Sequence, residues 1–139
     1  MTNNISIASY PNIRMRRNRK SDWSRRLVKE NQISVNDLIL PIFVTDGRNK
    51  IQSIKSMPGI NRYSVDKLDK IIHDASKLKI PLIAVFPNTP NKRKNSNGTE
   101  ALNSNNLVCR AIRKIKKNNP DIGVMTDVAL DPYLSLIHI

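Results

Sequence analysis

A chain of 139 residues, 39% hydrophobic and 25% charged, with eight Pro and four Gly, has the make-up of one folded globular domain, too short for two complete ones. No run approaches the roughly 20 apolar residues of a membrane helix, the N-terminus lacks the apolar core of a secretory signal before Pro11, and the single Cys109 excludes an intrachain disulfide framework or a cysteine-cluster zinc site within these residues. The formal net charge of +13 is concentrated in two blocks, residues 1–30 (eight Lys/Arg against Asp22 and Glu30) and residues 91–120 (eight against Glu100), and a nucleic-acid module would usually interleave stacking aromatics or a groove-reading motif, whereas only Trp23 lies near either block.

In chain order, residues 1–34 read as a basic arm. Trp23 would anchor it on an apolar surface, and for Arg14, Arg16 and Arg17 a disordered tail and an intersubunit arm are both open. Residues 1–20 carry no acid, which also leaves an organelle-targeting peptide open, although Pro11 breaks any amphipathic helix there. Asp37 to Val44 is an apolar run of the length of a strand buried on both faces, with Pro41 expected at a bulge or where pairing lapses. Thr45-Asp46-Gly47 and Ser56-Met57-Pro58-Gly59 bracket a polar loop. Ser64 then opens a helix whose Val65, Leu68, Ile71, Ile72, Ala75 and Leu78 recur at helical spacing, with His73 at its exposed edge. Ile80 to Pro87 is a second strand, and a polar loop runs on to Gly98, its Lys92-Arg93-Lys94 reading as solvated. A second helix covers about Asn105 to Asn118, with Leu107, Val108, Ala111, Ile112 and Ile115 inward, Arg110, Arg113, Lys114, Lys116 and Lys117 outward, and Cys109 packing as a small hydrophobe. Pro120 ends it, and a third strand follows from Ile122 to Val128.

Strand, helix, strand, helix, strand, with no polar alternation, implies parallel strands joined by right-handed crossovers. No glycine-rich phosphate loop follows the first strand, which disfavours a doubly wound nucleotide-binding sheet and leaves the eightfold barrel. Functional groups are then expected at the carboxyl ends of the strands: Thr45 and Asp46, Phe86 to Thr89, and Asp127 to Asp131.

Several stretches together carry a family resemblance: Ser56-Met57-Pro58-Gly59-Ile60 with Arg62 and Ser64; Lys94 with Gly98, Glu100, Ala101 and Asn103; and Asp127-Val128-Ala129-Leu130-Asp131-Pro132-Tyr133. With Arg14-Met15-Arg16-Arg17 and the stretch from Asp37 to Gly47, they resemble the porphobilinogen synthase family, also called 5-aminolaevulinate dehydratase, in order over about residues 10–133. The resemblance implies an α/β fold, the first three strands and two helices of a (β/α)8 TIM barrel in residues 35–133, behind an extended arm in residues 1–34. It also implies a lyase that condenses two 5-aminolaevulinate molecules to porphobilinogen in haem and tetrapyrrole biosynthesis, in a cytoplasmic homo-octamer assembled through the arm, without nucleic-acid or membrane partners. The family's Schiff-base lysines lie on later strands and match no position in this chain, so the chain alone is expected to be inactive.

Asp127 matches an active-site acid of the family, able to orient a substrate amine or water through charge-assisted hydrogen bonds, although without the motif it could as well only cap a loop. Asp131 is the candidate substrate-binding residue, its bland alternative being an acid that bonds its own backbone before Pro132. Ala129 and Asp131 stand where zinc-dependent members have cysteines, which implies the cysteine-free group that often uses magnesium; no metal ligand is matched within the chain. After Tyr133 the likeness stops: residues 134–139 read as a tail foreign to the family on a shortened chain, and His138 as no ligand. A basic nucleic-acid-binding module and a non-catalytic, arm-mediated interaction piece remain the alternatives.

Overall fold

The computed structural model describes residues 10–11 and 13–135; His138 and the rest of the tail from residue 136 lie outside them. The chain falls into two compact units, residues 1–33 and 34–139. In the first, a short helix, α1 (Asp22–Leu27), is tightened by the Ser24 hydroxyl, which donates to the carbonyls of Asn18 and Ser21, and Asp22 pairs with Arg25 and Arg26. Trp23 and Leu27 of this helix are exposed.

The second unit is built on five strands: β1 (Ile39–Thr45), β2 (Ile51–Ser53), β3 (Asn61–Ser64), β4 (Leu82–Asn88) and β5 (Gly123–Thr126), in the spatial order β2-β3-β1-β4-β5. β1, β4 and β5 are parallel neighbours, with Ile39 opposite Leu82 and Leu82 opposite Gly123. Helices α2 (Leu68–Lys77) and α3 (Leu107–Asn118) form the crossovers. The three strands, two helices and parallel order expected from the apolar runs are all present.

Four details differ from the sequence reading. The loop after β1 contains an antiparallel pair, β2 and β3, and β3 also runs parallel to β1 over Phe43 to Thr45. On that edge the residues from Ile39 to Ile42 have no strand partner among the described residues, so Pro41 costs no ladder bond there, as its missing N–H requires. Ser64 does not open the helix: it ends β3, fully buried, and its hydroxyl accepts the Lys50 N–H (2.9 Å) and donates to the Lys50 carbonyl, so a 3-10 turn intervenes and α2 starts at Leu68. α3 begins at Leu107, two residues late, because the Asn106 side chain caps it by accepting the Cys109 N–H at 2.9 Å. β5 is shorter than expected, ending at Thr126.

The strands are also not buried on both faces. Side chains alternate across a strand. Ile42, Val44, Ile83 and Val85 face α2 and α3 and form the core with Leu68, Ile72, Ala75, Leu107, Ala111 and Ile115, each less than 5% exposed. The opposite face carries Ile39, Phe86 and Met125, which are 50%, 39% and 44% exposed, and a Phe43–Phe86 ring pair with centroids 5.7 Å apart. The apolar runs reflected a second face that these residues do not themselves cover.

Candidate active site

The carboxyl ends of β1, β4 and β5 lie side by side, which is where the sequence places the functional groups. Strand alternation puts Asp127, one residue past β5, on the side of Met125, away from the helices. It lines an open cleft of about 330 Å³ whose other walls include Ala84, Phe86 and Met125. The side chain is exposed, with one oxygen, Oδ1, accepting the Ala129 N–H at 3.2 Å and Oδ2 without a partner among the described residues. Asp127 thus caps its loop through one carboxylate oxygen, and that bond does not engage the other.

Asp131 sits elsewhere. It starts the 3-10 turn Asp131–Tyr133, is exposed, makes no side-chain hydrogen bond among the described residues, and is not among the residues lining that cleft. The expected local bond to its own backbone is absent. Tyr133, two residues on, is buried, and burial, with smaller contributions from Cys109 and Glu100, pushes its phenol up from the ordinary range. Ala129 presents only a methyl group. Among the described residues no three His, Cys, Asp or Glu side chains gather as a metal site, and Cys109, half-buried on α3, is the one thiol of the chain. These residues do not fit a zinc site.

The opposite rim of the strand ends holds a charge network the sequence reading missed. Asp46, just past β1, accepts a hydrogen bond from Arg110 of α3 at 2.8 Å and forms an ion pair with Arg93 at 3.3 Å. The other terminal nitrogen of Arg93 reaches Glu100 at 2.8 Å, and Glu100 also accepts from Asn103 at 3.2 Å. The Arg110 hydrogen bond, above the opposing effect of burial, holds the Asp46 carboxyl below its ordinary range; for Glu100, burial pushes upward but the bonds from Arg93 and Asn103 win and its carboxyl is also held low. Arg93 is thus no solvated loop cation and Arg110 does not simply point outward. The residues meet across 64 positions of sequence in the Asp46–Arg110 case, and no local spacing could signal it.

Most cations of the basic block of residues 91–120 are likewise held by the fold. Arg93 and Arg110 are paired as above, Lys114 pairs with Asp69 at 2.7 Å, Arg113 donates to the Ser104 carbonyl, and Lys116 donates to the carbonyls of Pro120 and Ile122. Five of its eight cations are engaged in holding the fold. His73 is exposed on α2, away from the strand ends.

Parallel strands with crossover helices on one face, and acids beyond the strands' carboxyl ends, are the make-up of a (β/α)8-barrel enzyme. The chain belongs to the delta-aminolevulinic acid dehydratase family, whose model matches residues 12–139. It is 53% identical over 126 residues to the delta-aminolevulinic acid dehydratase of Bradyrhizobium diazoefficiens, covering 91% of this chain and 36% of that one. The chloroplastic enzyme of Chlamydomonas reinhardtii is 44% identical over 124 residues, covering 88% and 32%. Among solved structures, the delta-aminolevulinic acid dehydratase (porphobilinogen synthase) of Toxoplasma gondii, in complex with the reaction product porphobilinogen, superposes with a TM-score of 0.79 at 38% identity, over 96% of this chain and 36% of that one. The fold is accordingly part of a TIM barrel, and the chain spans about a third of the length of the relatives it matches.

Proposed function

We propose that these residues serve a porphobilinogen synthase, a lyase that joins two molecules of 5-aminolaevulinate into porphobilinogen with loss of two waters, on the route to haem and other tetrapyrroles. The observation that carries this is the 53% identity over 126 residues. Within the site, Asp127 receives the substrate's ammonium group on Oδ2 while the Ala129 N–H fixes the carboxylate through Oδ1. Asp131 offers a second, more solvated carboxylate to the substrate. The amines that form Schiff bases with the substrate carbonyls need a desolvated setting that depresses their pKa; we assign them to strands beyond β5, so the 139 residues alone have no turnover. Ala129 and Asp131, in place of cysteines, point to magnesium rather than zinc in the whole enzyme. Assembly into an octamer through the basic arm, in the cytoplasm, completes the reading.

A chimera tests it. Residues 12–133 replace the matching stretch of the Bradyrhizobium diazoefficiens enzyme, and porphobilinogen formation is followed by its colour reaction. The chimera is expected to turn over, Asp127→Ala within it to lose about 100-fold in kcat, the scale of misplacing a reacting group, and the unmodified 139-residue chain to give only background. A folded, silent chimera overturns the function; turnover by the unmodified chain overturns the assignment of the amines to later strands.

A further inference from the structure

Past β5 the chain runs from Asp127 to Ser135 outside any strand. The turn that carries Asp131 closes on itself through the N–H groups of Tyr133 and Leu134, which both donate to the Leu130 carbonyl at 2.8 and 3.1 Å. Among the described residues, two backbone hydrogen bonds tie this turn to another segment, and both use Asn95: its N–H donates to the Tyr133 carbonyl at 3.2 Å, and the Ser135 N–H donates to the Asn95 carbonyl at 3.1 Å. They form a parallel bridge one pair long. Beside it, Gly98 adopts φ 60°, and a Cβ there would stand 3.3 Å from Leu134 Cδ2, so the absence of a side chain lets Leu134 settle against the loop.

A bridge of one pair cannot fix its own register, so one side must be anchored elsewhere. The Asn95 side is. The Asn95 Oδ1 accepts the N–H groups of Asn97 and Thr99, both at 3.1 Å, which rigidifies the loop locally. Two residues upstream, Arg93 meets carboxylates from two other segments through two different nitrogens: Nη2 forms an ion pair with Asp46 at the end of β1, and Nη1 donates to Glu100. A planar guanidinium hydrogen-bonded to one carboxylate and ion-paired with a second has its orientation restricted in a way that a lysine ammonium, a compact point charge, would not reproduce. Asp46 is itself fixed by Arg110 from α3 and by the Gly47 N–H at 3.2 Å.

We propose that Arg93 is a positioning residue for the acidic turn: clamped between Asp46 and Glu100, it fixes the loop at Asn95, and through the Asn95 bridge it sets where Asp131 stands relative to the end of β1. The consequence for substrate rests on the function proposed above; the mechanical link does not. In chain terms, the end of the first parallel strand reaches the turn after the third through a loop belonging to the second.

The link is read in the 139-residue chain by amide hydrogen exchange and ¹⁵N shifts, at Asn95 and Ser135, the two donors of the bridge. Arg93→Met and Asp46→Asn are expected to lower protection at both amides at least tenfold while Val44 and Val85 keep theirs. Lys114→Met, which breaks the unrelated pair with Asp69, should leave both unchanged. Asp46 faces Arg93, Arg110 and, one step away, Glu100, so on acidification the Asn95 and Ser135 shifts should move together in the parent chain with a component that Asp46→Asn removes; a merely structural bridge would show none. Should Arg93→Met also cost the protection of Val44 and Val85, Arg93→Lys, which keeps the charge and loses the fork, decides by the same two amides. Unchanged protection at Asn95 and Ser135 in a folded Arg93 variant, or an equal loss in Lys114→Met, overturns the proposal. That result would leave the proposed function standing, whereas a silent chimera would leave the coupling standing.

Discussion

The two faces of the parallel sheet are made of the same kinds of residue and meet different fates. On one, Ile42, Val44, Ile83 and Val85 are covered by α2 and α3 and lie within 3% of full burial. On the other, Ile39, Phe86 and Met125 keep between 39% and 50% of their surface in water, and Phe86 pairs its ring with Phe43. Residue type sets what a strand can bury; only its neighbours set what it does bury. The covered face holds the unit together, and the bare one carries Asp127 and the cleft.

If that contrast is right, equal truncations on the two faces should differ severalfold in cost. Ile83→Ala, at 0% exposure, is expected to destabilise the chain by about 2–5 kcal/mol, read from the denaturant midpoint, since the core around it has no slack to collapse into the space. A cost near zero would break the comparison outright. Next in size is Asp46→Asn, at the rim of the covered face, which strips the charge partner from Arg93 and Arg110 while keeping the shape; with about a fifth of the carboxylate's side chain exposed, the loss is about 1–2 kcal/mol. Because its folded carboxyl titrates below the ordinary 3.8, its stabilisation is complete above that value and is lost as pH falls through the lower, folded one. The gap between parent and Asp46→Asn, measured by denaturant unfolding at several pH values, should therefore close on acidification, and a constant gap would remove the charge from the account.

A smaller effect should follow from Asn106→Ala, about 1 kcal/mol, because it uncaps α3 without touching the residues that α3 buries. Melting curves resolve it, and a loss as large as that of Ile83→Ala would mean the cap also holds something else. Smallest of all should be Met125→Ala on the bare face, within about 0.5 kcal/mol. A cost above 2 kcal/mol there would show that the face is covered in solution.

The sequence displays the three long strands and two helices because each is a run of apolar residues with its own period, and such periods survive without knowledge of the partner. β2 and β3 escaped notice because their seven residues, from Ile51 to Ser53 and from Asn61 to Ser64, are short and mostly polar and are defined by whom they pair with. Ser64 misled for a related reason: a serine before an acidic turn reads as a helix cap, but a distant backbone group, Lys50, took its hydroxyl. The place of Asp127 just past the third long strand was legible from the apolar run that precedes it. The clamp of Asp46, Arg93, Glu100 and Arg110 was not, since ion pairs between remote segments leave no trace in spacing, and basic residues in a polar loop look alike whether solvated or bound.

β3 lies against only the last three residues of β1, from Phe43 to Thr45, and stops there. A further parallel strand adding to that edge can thus rise only as far as Asn61 before meeting backbone already in place. A one-residue slip in pairing would turn every side chain of the newcomer to the wrong face. β3 is a doorstop on this side of the sheet: it ends the open stretch of the β1 edge at Ile42.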